Sequence, residues 1–256
     1  MKVGRAMSTF IYKPLNNSNM NSKTIVAVAA LSLTLAACNQ RQNATPAAAS
    51  PEVATQTQSA DAKAQMTGDI SHDTWQPGEQ ASVSFQEIPS TIEQFSTLQS
   101  QLGVEPQGAV ALQVIAFEMY RRDASLGEQA LTLNNTSTNL LSTLRQLKEM
   151  MNLKDAYYSR PYIAAALMKG ATPENGYQPE RPYTVQMRVD PARAYQQSNM
   201  LGGTVIYLQV DSKGWDTNWR GVEVVKPEHA DYYLVSNCPA LYTQCKQLKG
   251  TWKPLD

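Results

Sequence analysis

The chain is poor in the residues that carry most recognisable chemistry. It has two histidines and three cysteines in 256 residues. A nucleophile needs a base and a group that orients the base. After the polar N-terminal third only His229 remains, in the turn "KPEHADYY", and no G-x-S-x-G or S-x-x-K accompanies it. No phosphate-binding G-x-x-x-x-G-K-[ST], dinucleotide G-x-G-x-x-G, H-E-x-x-H or EF-hand loop occurs either. We therefore assign no catalytic residue, no cofactor and no metal ligand, and His229 reads as a surface-loop residue. Glu118, Asp123 and Glu128 fall in a helical stretch and read as a solvated face. Basic charge is also scarce. Four of the 22 basic residues and none of the 22 acidic ones lie in Met1–Ala37, which leaves 18 against 22, a net −4, from Cys38 onward. No basic face stands out, which argues against nucleic acid. Long apolar runs are missing as well. The uncharged stretch Thr24–Ala37, rich in Ala, Leu and Val, is about 14 residues, short of the roughly 20 that span a bilayer.

That run has another use. Lys23 precedes it and the small residues Ala36-Ala37 close it, the layout of a secretory signal. Leu35-Ala36-Ala37-Cys38 resembles the lipobox of bacterial lipoproteins. The resemblance implies cleavage before Cys38, a diacylglycerol on its sulfur and usually an N-acyl chain. Several chains are needed because each buried CH₂ contributes roughly 0.8 kcal/mol and one myristoyl-length chain holds a protein only marginally. Asn39 follows the cysteine where Asp would imply inner-membrane retention, so the resemblance implies the outer membrane with the domain in the periplasm. Met20-Asn21-Ser22-Lys23 is a compact basic start, which makes Met20 the expected initiator and 1–37 the signal region.

With Cys38 acylated, Cys238 and Cys245 remain, in "NCPALYTQCKQ". In an oxidising compartment an even remainder reads as one disulfide. Its loop of about eight residues would contribute roughly 2.5 kcal/mol. The alternative, a metal site of His229, Cys238 and Cys245, lacks a fourth ligand, and C-x₆-C is not a redox pair.

Residues 38–84 are rich in Ala, Gln, Thr and Ser and low in large apolar side chains. Such a stretch cannot bury enough surface to offset its ordering entropy, so it reads as a disordered tether from the lipidated cysteine. Residues 85–256 read as one α+β domain. Ser90 opens a helix carrying Ile92, Phe95 and Leu98, with Gly103 beyond it. Pro106 opens a second, "QGAVALQVIAFEMYRR", apolar nearly all round and hence central. Asn135–Met151 carries Leu140, Leu141, Leu144, Leu147 and Met151 at helical spacing, and a further helix starts near Pro161 and stops at Gly170. The pattern then switches to period two. Tyr183, Val185, Met187 and Val189 face one way, and Thr184, Gln186 and Arg188 the other. "TVIYLQV", "RGVEVVKP" and "DYYLVS" follow as strands. Helices first and strands later predict N-terminal helices on one face of a C-terminal antiparallel sheet.

The segments "RPYIAAALMKGATPENGYQPERPYTVQMRV" and "LQVDSKGWDTNWRGVEVV" resemble an uncharacterised bacterial lipoprotein family, a domain of unknown function. That resemblance implies an exported α+β domain and supplies no catalytic residue. Surface recognition remains. Trp215 and Trp219 flank a turn, and "DPARAYQQSNMLGG" is longer than a hairpin needs. Tyr and Trp are enriched at interfaces, so Arg193, Tyr195, Gln196, Gln197 and Asn199 with Trp215 and Trp219 are the expected contacts for an envelope protein or a glycan. The reading is a lipid-anchored, non-enzymatic binding or structural module. An envelope hydrolase with an unrecognised site and a small-ligand carrier are the alternatives; a deep polar pocket would favour the hydrolase.

Overall fold

A computed structural model describes residues 63–70, 76–151, 159–193, 195–198 and 200–256. All belong to the compact unit Gln56–Asp256. Cys38, Asn199 and the expected signal and tether up to residue 62 lie outside the described residues.

The sheet starts earlier than the sequence predicts. Strand β1 (Ala64–Thr67) and strand β2 (Gln80–Phe85) precede the first helix, within the stretch read as tether. β2 alternates strictly, with Ala81, Val83 and Phe85 buried and Ser82 and Ser84 half-exposed. Its three apolar side chains, diluted among Ser and Gln, were too few to stand out by composition. β1 pairs with β2, and β2 pairs along its whole length with β3 (Tyr183–Val189). The sheet is thus built from both ends of the domain, and the helices are an insertion between β2 and β3.

Beyond β3 come β5 (Gly203–Asp211), β6 (Trp219–Val225) and β7 (Leu234–Asn237), each antiparallel to its neighbour. The long Asp190–Gly203 connection is not a plain loop. It contains β4 (Tyr195–Ser198), which pairs with Gly203–Ile206 of β5, while β3 pairs with Leu208–Val210 of the same strand. β3 and β4 therefore lie end to end along β5, and between the two pairings Asp190 N donates to the Tyr207 carbonyl at 2.8 Å.

Five helices fill the insertion. α1 (Ile92–Leu102) starts at Thr91, whose Oγ1 accepts from Gln94 N at 3.3 Å. α2 (Pro106–Arg122) has proline in its first turn. It is buried from Pro106 to Met119 and packs on β2, β3, β6 and β7, as its all-round apolar pattern predicts. At Asp123 the chain turns into α3 (Ala124–Asn134), with Asp123 Oδ1 accepting from Ser125 N at 2.9 Å and Leu126 N at 3.1 Å. α4 (Ser137–Met150) follows, and α5 (Ile163–Ala166) is a single fully buried turn. An apolar core led by Phe85, Phe95, Phe117, Leu112, Ile115 and Ile163 lies between the helices and one sheet face.

Glu118 does not belong to a solvated face. Its side chain is 1% exposed and held by Arg121 at 2.6 Å and Arg122 at 3.0 Å. Arg122 also donates through Nη2 to the Leu255 and Asp256 carbonyls at 3.1 and 2.9 Å, so this buried charge cluster pins the C-terminus on α2. A carboxylate this buried is tolerated because two guanidiniums surround it.

Candidate functional site

The expected disulfide is absent: Cys238 and Cys245 are both free and buried. They lie on either side of the short 3₁₀ turn Pro239–Leu241, and each thiol has its own surroundings. Cys238 Sγ lies 3.5 Å from Gln113 Nε2, 3.4 Å from Asn139 Nδ2 and 3.6 Å from Thr143 Oγ1. Asn134, Asn135 and Asn139 extend that cluster, with Asn134 and Asn135 both donating to Gln113 Oε1. It ties α2, α3, α4 and β7 together. Cys245 Sγ faces the Tyr177 hydroxyl at 3.9 Å. Burial pushes both thiols up, Cys245 to about 12, so neither is an activated nucleophile. His229 is exposed in its turn, and among the described residues no three His, Cys, Asp or Glu side chains gather as a metal site.

The two tryptophans part company. Trp215 is 2% exposed and donates through Nε1 to the Thr243 carbonyl at 2.6 Å; it is a core residue and offers no binding surface. Trp219 stands on β6 opposite Asp211, on the sheet face away from the helices. No helical residue joins the small second cluster of Val205, Tyr207, Val225 and Leu201 on that face. Strand pairing places Thr67, Ser82 and Gln186 in one row across it and sets Asp211 opposite Trp219. Arg188, Gln80 and Gln209 stand in the next row, ending at Gly221. An open groove of about 340 Å³ runs between Thr67, Gln80, Ser82, Gln186, Asp211 and Trp219.

Two arginines sit over aromatic rings here. The Arg188 guanidinium sits 4.1 Å from the Trp219 ring centroid, and that of Arg193 sits 4.2 Å from Tyr207. They differ in what else they touch. Arg193 also faces Asp190 at 3.7 Å and Glu223 at 3.8 Å, so its charge is answered. Arg188 donates only Nε, to Gln209 Oε1 at 2.9 Å. Among the described residues its terminal nitrogens reach no acceptor, and Asp211 is paired with Lys213 at 3.5 Å instead. Thr67, Gln80, Ser82 and Gln186 likewise make no side-chain hydrogen bond among the described residues. A Cβ on Gly221 would meet nothing within 4 Å, which leaves the sheet floor bare beside Gln209.

Of the residues expected to bind, Arg193 and Trp219 are on this face, and Tyr195 and Gln197 belong to β4 by backbone pairing. Arg188, Gln80, Ser82 and Gln209 were not singled out. The signal for Arg188 and Gln186 was present in the polar positions of β3. Ser82 and Gln80 became visible only once β2 was known to be a strand.

A second space, about 470 Å³, lies between the end of α4 and the segment after the 3₁₀ turn, lined by Gln146, Glu149, Met150, Arg160, Thr243, Gln244 and Cys245. Arg160 there is spent on backbone, donating to the Cys245 and Ser159 carbonyls at 3.1 and 2.9 Å.

The loop "KGATPENGY" is a structural latch. Asn175 Oδ1 accepts from Thr172 N at 2.9 Å and Gln178 N at 3.1 Å, and Nδ2 donates to the Gly170 and Gln178 carbonyls. The Pro173 carbonyl then takes Lys249 N and Gly250 N. Tyr177 stacks on Tyr162 with centroids 4.7 Å apart and donates to the Lys246 carbonyl at 2.9 Å. These contacts hold the C-terminal segment.

Fold and groove together define an α+β domain with one sheet face sealed by helices and the other open. The chain belongs to the family described as a domain of unknown function, DUF6935, which it matches over residues 87–249. No curated protein and no solved structure matches it.

Proposed function

We propose that the protein is a lipid-anchored envelope protein whose domain is a binding module, with the open sheet face as its binding surface. The observation that carries the second part is the groove itself. Thr67, Gln80, Ser82 and Gln186 line it with no side-chain hydrogen bond among the described residues, and the Arg188 guanidinium stands at its edge over the Trp219 ring. Polar groups displayed together and unspent on a rigid sheet are pre-organised for a ligand, which lowers the entropic cost of binding. The anchor rests on the lipobox-like Leu35–Cys38, with residues from Asn39 to the first strand as the tether and the outer membrane as the destination. An envelope protein or a glycan fits the surface; nucleic acid does not.

Two measurements test this. Replacing Cys38 with alanine should move the protein out of the membrane fraction and remove the acyl mass from its N-terminal peptide. A photo-crosslinker at Gln186 in intact cells should capture a recurrent species that the same group at the exposed Leu141 of α4 does not. Equal capture at the two positions would refute the sheet face as the binding surface.

A further inference from the structure

Resting on the sheet-face reading, the geometry points to the ligand class: we propose that the groove binds an acidic glycan, with Arg188, at the groove's edge beside Gln80 and Trp219, receiving its carboxylate. Stacking on Trp219 and the bond to Gln209 fix the guanidinium in one plane. Its two terminal nitrogens are left as a flat fork, and that fork matches the two oxygens of a carboxylate. Gln80, Ser82, Gln186 and Thr67 alongside offer amides and hydroxyls to sugar hydroxyls. Apart from Trp219 the groove exposes no large apolar side chain, so an apolar peptide finds no anchor.

Charge sets the limit on the ligand. Around Arg188, Asp211, Asp190 and Glu223 stand on the same face and Arg193 and Lys213 answer them only in part. One carboxylate at Arg188 is matched, whereas a phosphate-rich polymer would be repelled by the acidic neighbours. Gly221 gives a sugar ring room to lie against the sheet. A uronic acid and a lactyl-substituted amino sugar present the same chemistry.

The test is calorimetric titration of the full-length chain in detergent with three probes. These are an oligogalacturonate, its methyl-esterified uncharged counterpart, and a glycan fragment containing N-acetylmuramic acid. At least one acidic probe should bind about tenfold or more tighter than the ester, as a charged hydrogen-bonded pair provides; the acidic probe that binds identifies the carboxylate source. Arg188→Gln should erase that preference, acid and ester then binding alike, while the domain still melts in one cooperative step. Gly221→Leu, which fills open space, should weaken binding of all probes without unfolding the domain. Equal affinity for acid and ester, or a preference that survives Arg188→Gln, overturns the proposal. If no probe binds at millimolar concentration while the Gln186 crosslinker still captures a protein, the glycan is wrong and the sheet-face reading stands. With neither binding nor capture, both fall.

Discussion

At the scale of single residues, the two tryptophans give the sharpest contrast. Both flank one turn, yet burial separates a core residue from a surface one. Trp215→Ala removes a buried ring and its bond to Thr243, and should cost about 3–5 kcal/mol. Trp219→Ala loses a half-exposed ring and one stacked guanidinium, and should cost less than about 1 kcal/mol. Urea denaturation of the two variants checks this, and equal losses would mean that Trp219 is also structural. The buried thiols make a second prediction. An unfolded thiol ionises near ~8.5, while burial holds Cys245 up to about 12 and raises Cys238. Above about pH 8.5 the unfolded chain releases protons that the folded one keeps. Stability is therefore full below that pH and declines as pH rises toward 12. The urea midpoint should fall across that window, and Cys245→Ala should flatten part of the fall. In the protein with Cys38 acylated, a thiol reagent at pH 8 should find no reactive group until denaturant is added, and then two. Finding none in denaturant would restore the disulfide that an even pair of cysteines in an oxidising compartment predicts.

At the scale of elements, the joint between α2 and α3 shows how a short motif sets a packing angle. Asp123 ends one helix and caps the next. A Cβ on Gly127 would lie 2.1 Å from the Tyr120 Cα, so only glycine lets α3 fold back this closely. Gly127→Ala should lower stability by about 1–3 kcal/mol as the helices are forced apart. Asp123→Ala should cost about 1 kcal/mol through its lost cap bonds. Thermal melts of both variants test the pair, and the glycine should be the more sensitive position. The sequence hid this joint, because Asp123 reads equally well as a charge on a continuous helix. Long periodic elements were legible: α1, α2 and the strands at Tyr183, Gly203 and Trp219 fall where periodicity predicts. What escaped were elements set by pairing instead of pattern. β4 is a polar four-residue strand that exists because β5 runs past the end of β3. The site was half legible for the same reason. Arg188 and Gln186 declared themselves outward, but the stack on Trp219 and the row shared with Ser82 depend on which strands are neighbours.

At the scale of the molecule, the family match and the folding unit do not coincide, and this leads to a prediction about boundaries. The match covers residues 87–249, yet Ile70, Val83 and Phe85 before it are fully buried in the core. β2 pairs with all seven residues of β3 but one. After it, Leu255 is buried and Trp252 packs against the same core. The carbonyls of Leu255 and Asp256 take the guanidinium that shields Glu118. A fragment limited to 87–249 would strip β3 of β2, its longer pairing, leaving only β5 beside it, and would leave Glu118 less well surrounded. It would also forgo roughly 1.5–3 kcal/mol for each large core side chain removed, against a total stability of about 5–15 kcal/mol for an ordinary domain. We expect that fragment to aggregate or to lack a cooperative thermal transition. A fragment of residues 56–256, which spans the whole compact unit, should melt in one step with strong near-ultraviolet circular dichroism. A cooperative melt of the shorter fragment at the same temperature would show that β1 and β2 are accessory to the core. Because Thr67, Gln80 and Ser82 come from those two strands, the shorter fragment would then also be the cleanest test of the groove, folded but missing one wall.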